Sequence, residues 1–243
     1  MGYKSKVINL ANRMKIISSE KESINVQSKY GPSKIVRLPK KITPDLSCFI
    51  AIVIGDGHLH GKKFRTTVES SNKELLEVLS SITNQLFFMN TNIKKIIKRE
   101  KKKQTYHLSV YSKAVQELLS IVFKIPKGKK SDIVRVPEEI NDSDNSIKSA
   151  FIIGLLAAEG SRKGKHEVRI CSASKNLLID TQNLLSKLEI SSKIESWINK
   201  KYKKEYYSIS FKRNELDSLT RGCRSGQTGL ILSIFKKVIE GHA

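Results

Sequence analysis

"FIAIVIGDG" at Phe49 to Gly57 and "IIGLLAAEG" at Ile152 to Gly160 are one short pattern written twice. Each is an apolar run that ends in an acid beside glycine. Within each, two small residues stand four apart: Ala51 with Gly55, and Gly154 with Ala158. On a helix that spacing puts both on one face, where small side chains let two helix backbones approach closely. The acids follow at one offset, Asp56 five residues after Ala51 and Glu159 five after Gly154. Two such helices packed together bring both carboxylates to one end of the interface. Adjacent carboxylates repel unless a cation lies between them. The pattern describes a metal site on an internal two-fold axis.

The repetition extends beyond these helices. Upstream, "SKIVRLPKKI" (Ser33 to Ile42) is echoed by "SDIVRVPEEI" (Ser131 to Ile140). Downstream, "SNKELL" (Ser71 to Leu76) returns as "ASKNLL" (Ala173 to Leu178), and "YHLSV" (Tyr106 to Val110) as "YSISF" (Tyr207 to Phe211). The offsets between copies stay between 98 and 103 residues, a drift that loop-length differences explain. The chain is an internal duplication.

One reading then serves both halves. The first motif helix spans Leu46 to Gly55, with Pro44 as its start signal. Alternating β-branched residues predict strands within His58 to Ser70. Ser71 is expected to cap a helix whose Leu75, Leu76, Leu79 and Ile82 follow helical spacing. A hairpin, Ile93 to Ile97 with Thr105 to Tyr111, crosses a basic turn, and a helix from Lys113 to Phe123 closes the unit. The second copy runs from a helix at Ser146 to Ala158 through a strand at His166 to Ser174. A helix at Lys175 to Leu188, a hairpin at Ser192 to Arg213 and a short helix at Asn214 to Arg221 follow. A last helix, Leu230 to Ile239, is expected to pack on the outside. Before the first repeat, a helix is expected over Lys4 to Ile17. The divisions are therefore an N-terminal extension 1–43, repeat one 44–123, a linker 124–145, repeat two 146–226 and a C-terminal helix 227–243. The extension is either an additional DNA-contacting arm or a packed flap.

The 243 residues carry 45 Lys plus Arg against 23 Asp plus Glu, a net charge of +22. Such an excess favours a polyanion, since each phosphate neutralised releases counterions. An anionic membrane surface or a ribosomal type of RNA contact are the alternatives. A basic amphipathic helix of the membrane-surface kind does not stand out. The apolar runs at 49–54 and 150–158 fall short of the ~20 residues that span a bilayer. Cys48, Cys171 and Cys223 have no paired spacing, which points to a reducing, intracellular and cytoplasmic setting, nucleoid-associated or organellar included. No secretory signal follows Met1.

Over residues 44 to 226 the chain resembles the LAGLIDADG homing endonucleases in their single-chain, two-motif form. "IPKGKKSDIVRVPEEI" (Ile125 to Ile140) is similar to the linker of archaeal members. The resemblance implies an α+β fold of two pseudo-symmetric αββαββα repeats, with antiparallel sheets forming a saddle over DNA. It implies a monomer that cuts both strands of a long, asymmetric duplex, with Mg²⁺ or Mn²⁺ as cofactor. Hard oxygen donors suit these ions, and metal-assisted hydrolysis supplies an activated water and a neutralised leaving oxygen. Asp56 and Glu159 would hold the metal, with backbone carbonyls near Gly55 and Ala158. By the same resemblance a basic residue follows the third helix of a repeat, and Lys130 is chosen, with Lys124 and Lys127 as substitutes. Arg224 or Lys212 is the second-repeat candidate. The chain departs from the family pattern at Ile54 and Ala157, where an acid is common, and at Glu159, which replaces Asp.

For DNA contact, Lys62, Arg65, Thr67 and Glu69 are expected on one strand face reading bases. Arg169, Lys193, Glu195 and Lys203 are their counterparts. Thr67 and Arg169 are also candidates to line the catalytic pocket. Lys94, Lys95, Lys98 and Lys101 to Lys103 are expected at phosphates. His58 and His60 have the spacing of a metal pair but lack a third ligand, so His58 is read as groove-facing. Trp197, Tyr202, Tyr206 and Tyr207 cluster on the second hairpin, for cross-strand packing or for base stacking. A non-cleaving binder on the same scaffold, an intron RNA maturase or a DNA-binding regulator, is the rival reading. An embedded intein is not expected from the "EGHA" ending. The basic saddle requires that DNA affinity fall steeply with salt, with a log–log slope of about −0.9 per phosphate contacted. Filter binding across a salt series checks this, and a slope near zero rules the saddle out.

Overall fold

A computed structural model describes residues 2–28, 34–98, 103–199, 203–221 and 226–241. Helix α1 (Tyr3–Ala11) leads into an antiparallel sheet of β1 (Lys15–Ser19), β2 (Ser23–Gln27) and β3 (Ile35–Pro39). The first helix is thus shorter than its sequence suggests. It ends at Asn12, and the β-branched pair Ile16–Ile17 joins a strand, with Ile16 opposite Val26.

The first motif helix, α2 (Pro44–Asp56), starts on the Thr43 side chain, which accepts from the Leu46 amide, with Pro44 in the first turn. It leads into β4 (Gly57–Leu59), β5 (Arg65–Ser70) and helix α3 (Lys73–Phe87). Asn72 caps α3, accepting from Leu75 N, so the cap lies one residue beyond the expected Ser71. Strands β6 (Asn92–Lys98) and β7 (Lys103–Tyr111) precede α4 (Lys113–Glu117), which continues as a π-helical turn over Leu118–Val122. The linker contains a short helix, α5 (Glu138–Asn141). The second repeat follows as α6 (Asn145–Glu159), β8 (Gly160–Lys163), β9 (Glu167–Ser172), α7 (Lys175–Lys187), β10 (Ser192–Asn199) and β11 (Lys204–Lys212). A 3-10 turn at Arg213–Glu215 enters α8 (Leu216–Arg221), and α9 (Gln227–Glu240) closes the chain.

Each repeat carries a four-stranded antiparallel sheet, ordered β4-β5-β7-β6 and β8-β9-β11-β10. Strand alternation assigns the faces. Thr66, Val68, Leu108 and Val110 are buried in the first sheet, as are Val168, Ile170, Ile209 and Phe211 in the second. Helices α3 and α7 cover these faces. The opposite, open faces carry Arg65, Thr67 and Glu69 in one repeat, and Arg169, Lys193 and Glu195 in the other. The N-terminal sheet packs through β3 on α3 and α4, behind the helix layer and away from the first open face. Among the described residues, no helix is long and apolar enough to cross a membrane.

The duplicated "IVRLP" and "IVRVP" part company in space. The first is β3, paired with β2. The second (Ile133 to Pro137) has no such hairpin beside it and forms no strand. It docks on α7 instead: Arg135 donates twice to the buried Asp180 carboxylate (3.0 and 2.8 Å), and the Ser174 hydroxyl donates to Val134 O (2.7 Å). Helix α9 lies on the outside of the repeats, with Leu230 and Val238 exposed. It buries Ile231, Leu232, Ile234 and Phe235 across α6, α3 and α2, bridging the repeats. Asp45 holds its first turn, accepting from Thr228 N (3.0 Å) and Thr228 Oγ1 (2.7 Å).

Helices α2 and α6 form the centre, with every residue from Leu46 to Ile54 and from Ile147 to Leu156 buried. A Cβ on Gly154 would lie 2.5 Å from the Cys48 carbonyl oxygen and 2.7 Å from Ala51 Cβ. One on Gly55 would lie 2.5 Å from Ala158 Cβ. The small-residue pairing expected from the sequence is the observed contact. Ser47 Oγ donates to Ile147 O (2.8 Å) at the other end. Gly154→Ala is therefore expected to destabilise the protein by about 1–3 kcal/mol, the range for overpacking, because the obstructing atom is backbone. Gly61, with nothing within 4 Å of its Cβ position, is the control for Gly→Ala in the same urea-unfolding measurement.

Candidate active site

The close approach of α2 and α6 carries the two acids to one place. The Glu159 side chain lies over Gly55, its Cγ 3.0 Å and its Oε1 3.7 Å from the position a Cβ would take there. Asp56 is the next residue, and both acids are half-buried. Burial, the Glu159 charge and the Glu69 charge push the Asp56 carboxyl up to about 7, against the pull of Lys130. Burial also raises Glu159, again opposed by Lys130.

Lys130 comes from the linker and is 8% exposed. Its ammonium donates to the Ile54 and Gly55 carbonyls, the latter at 3.0 Å, and so satisfies the last turn of α2. Burial lowers its pKa to about 8, while Glu159 and Asp56 oppose the fall. The other linker lysines are placed differently: Lys124 pairs with Glu138 (3.0 Å) and Lys127 is exposed. The fold holds this segment at several points. Gly128 N donates to Leu59 O (2.8 Å), Asp132 pairs with Lys204, and Arg135 is tied to Asp180.

A cleft of ≈ 590 Å³ opens beside Asp56. Its walls include Glu69, Ser70, Asn72, Thr105 and Ala158, with Ile234, Phe235 and Val238 of α9. The α9 wall is not legible in the sequence, since amphipathic spacing gives a helix and not its neighbours. Glu69, a base-reading candidate by strand alternation, instead lies near enough to Asp56 to raise its pKa. The duplication equates Glu69 with Cys171, which stands correspondingly close to Glu159. One acid thus has a third carboxylate nearby and the other a thiol.

The donor set suits a hard divalent cation: crowded carboxylates in a setting where burial first, and the Glu159 and Glu69 charges after it, raise the pKa of Asp56. Among the described residues, no group of three or more His, Cys, Asp or Glu is arranged to hold a metal. An ion here would rest on the two acids, backbone carbonyls and water. The Gly55 carbonyl, expected among the donors, accepts from Lys130 with one of its two lone pairs. Ala158 is half-buried at the matched position.

The expected DNA-reading residues separate into groups. Arg65, Thr67 and Glu69 share the open face, with Lys94 and His107 beside them; Glu69 Oε2 is 2.9 Å from His107 Nε2. In the second sheet, Arg169 donates to Ser161 Oγ (3.1 Å), while Glu195 pairs with Lys163 (2.8 Å) and Lys193 (3.2 Å). Three residues correct the expectation. Lys62 and Lys203 lie in exposed turns rather than on strands, Lys203 with φ +48°. Lys212 lies beside the β8–β9 turn, opposite Glu167 and away from the Cys171 end. Lys95 pairs with Tyr106 on the face opposite Lys94. Ring centroids of His58 and His60 are 4.5 Å apart, and His60 Nε2 meets Thr67 Oγ1 at 3.2 Å. Lys101, Lys102, Tyr202, Cys223 and Arg224 lie outside the described residues, as do the side chains of Lys98 and Lys103.

The family model of the LAGLIDADG-like domain matches this chain twice, at residues 44–120 and 146–223. Two curated archaeal proteins contain a similar segment. One is a subunit of the A-type ATP synthase of Pyrococcus abyssi, 29% identical over 178 residues, covering 72% of this chain and 16% of that protein. The other is the replication factor C small subunit of Methanocaldococcus jannaschii, 30% identical over 165 residues, covering 68% and 8%. The chain thus corresponds to a small part of these curated relatives. Among solved structures, I-DmoI in complex with DNA and Mn superposes with a TM-score of 0.52 at 17% identity, covering 75% of this chain and 98% of that one. The homing endonuclease I-WcaI bound to its DNA recognition sequence gives 0.53 at 12%, covering 78% and 85%. At these identities the likeness establishes the fold.

The raised Asp56 pKa has a signed consequence for stability. The folded state holds this proton more tightly than the unfolded chain. The contribution is therefore full below the ordinary aspartate value of 3.8 and is lost as pH rises through about 7. Melting temperature in EDTA is expected to fall across that window. Asp56→Asn should flatten the fall, and a divalent cation should raise the neutral-pH end. Differential scanning calorimetry from pH 4 to pH 8 reads all three; an unchanged slope in the variant overturns the assignment.

Proposed function

The chain belongs to the LAGLIDADG-like domain family, and we propose that it is a site-specific endonuclease cutting both strands of a long, asymmetric DNA duplex with Mg²⁺ or Mn²⁺. One observation carries the reading. Two acids at matched ends of close-packed helices share a buried junction with one ammonium group, and each belongs to a repeat with an open, largely polar sheet face. DNA binding alone does not require a desolvated acid pair. The relatives add support. A segment common to a replication factor and an ATP synthase component, filling 8% and 16% of them, is expected to carry an activity independent of either host. Two solved neighbours, I-DmoI and I-WcaI, are homing endonucleases bound to DNA, while another is full-length DUF199/WhiA.

Asp56 and Glu159 would hold the cation, which when bound supplies charge stabilisation and a more acidic water. The rest falls to the chain itself. The +22 charge draws the duplex in. Open-face residues such as Arg65, Arg169 and Lys193 meet base edges and phosphates. Lys130, charged for the most part at neutral pH, offsets negative charge developing at the scissile phosphate. Because Glu69 stands near one acid and Cys171 near the other, the two strands are cut in unlike surroundings and at unequal rates. Both motif acids come from one chain, so a monomer suffices. The work is intracellular.

Selection of bound duplexes from a randomised pool, followed by incubation with Mg²⁺ or EDTA, tests the proposal. Metal-dependent double-strand cuts at one long site support it. Selective binding without cutting moves the protein to the non-cleaving class of intron RNA maturase or DNA-binding regulator. Asp56→Asn and Glu159→Gln are each expected to lower the cutting rate by about 100-fold or more while leaving affinity within a few-fold, and Lys130→Met by about 10- to 100-fold. Wild-type rates in either acid variant would sink the metal-site reading.

A further inference from the structure

Among the differences between the two open faces, one is aromatic. Trp197 on β10 pairs in register with Tyr206 on β11, their rings stacked with centroids 6.0 Å apart and planes 26° apart. Alternation puts both on the face of Lys193, Glu195, Ser208 and Ser210, where they are an apolar island among polar side chains. Trp197 is 40% exposed. A cross-strand pair serving only to stabilise the hairpin gains most by turning to the core face, as Ile194 and Ile209 do. The duplication supplies an internal control. The matched pair in the first repeat, in the same register, is Ile96 and Thr105, and Thr105 is 7% exposed. Among the described residues, the first repeat has no stacked aromatic pair at that register position.

Resting on the endonuclease reading, we infer that Trp197 and Tyr206 are specificity-determining residues that recognise thymine 5-methyl groups in the major groove of the half-site under the second repeat. Apolar contact with that methyl is how an exposed ring face distinguishes thymine. Lys193 and Lys204 border the pair, each held by a carboxylate, Glu195 and Asp132. Position sets the distance from the cut. Strand β10 is three strand spacings, each ~4.8 Å, from β8, which begins next to Glu159. At about 3.4 Å per base pair, a thymine under Trp197 lies about four base pairs outside the scissile phosphates, and one under Tyr206 on β11 about three.

Uracil scanning tests this without changing the fold. The duplex selected by the wild-type chain is resynthesised with each thymine replaced in turn by uracil, which removes only the methyl. One or two replacements in the outer part of one half-site should weaken binding about three- to fivefold each, as expected for one buried carbon. In Trp197→Ser that penalty disappears, while uracils elsewhere behave as in the wild type; Trp197→Gln serves the same purpose should the serine variant unfold. A selected site with no thymine there, a flat scan, or a penalty that persists in the variants overturns the assignment. Metal-dependent cutting with a flat scan sinks this inference alone. Failure to select any long duplex removes the endonuclease reading and this inference together.

Discussion

The rest of the structure depends on how closely two helix backbones approach. Gly154 faces Ala51 and the Cys48 carbonyl, and Gly55 faces Ala158, with no room for a further carbon. That contact fuses two repeats around one core and sets the ends of both motif helices side by side. It also creates an electrostatic problem. Two carboxylates, with Glu69 near them, are brought together where water is scarce, and Asp56 is pushed toward its neutral form. Close packing and the tension at the acid pair are two aspects of one geometry.

Peripheral segments enclose that junction from two sides. On one, the linker delivers Lys130 to the final carbonyls of α2, anchored by Arg135 on Asp180. On the other, α9 lays Ile234 and Phe235 along the cleft, its first turn held by Asp45. Both anchors pair a carboxylate with donors from a distant part of the sequence, and both are at least partly shielded from water, where such bonds are strongest. The linker is therefore more than a tether. It supplies the cation nearest the acids.

Duplication explains the symmetry, and divergence sets the two halves apart. Equivalent positions have moved apart where the chain meets its surroundings: Glu69 against Cys171, Thr105 against Tyr206, a β-strand at "IVRLP" against a docked loop at "IVRVP". None of these exchanges touches the central helix pair, where the tight contacts leave little freedom. The sheet faces tolerate change because one side of each strand is open. An asymmetric ligand is the natural partner of such a molecule.

Local pattern was enough to find the duplication, the central helix pair, the two sheets and the placement of two acids at the ends of that pair. Those features follow from periodicity and from small residues at fixed spacing, which survive without knowledge of distant neighbours. The remainder came from packing in three dimensions. Lys130 on the α2 carbonyls, Glu69 beside Asp56 and α9 along the cleft are contacts between segments far apart in the chain, with no local pattern to announce them; the choice of Lys130 over its linker neighbours rests on the family resemblance. Lys62 and Lys203 fall in turns because strand ends depend on cross-strand pairing, which a single strand's alternation does not record. The two "IVR" copies make the point most directly. Nearly identical residues form different structures because only one has a neighbouring strand to complete its hydrogen bonds.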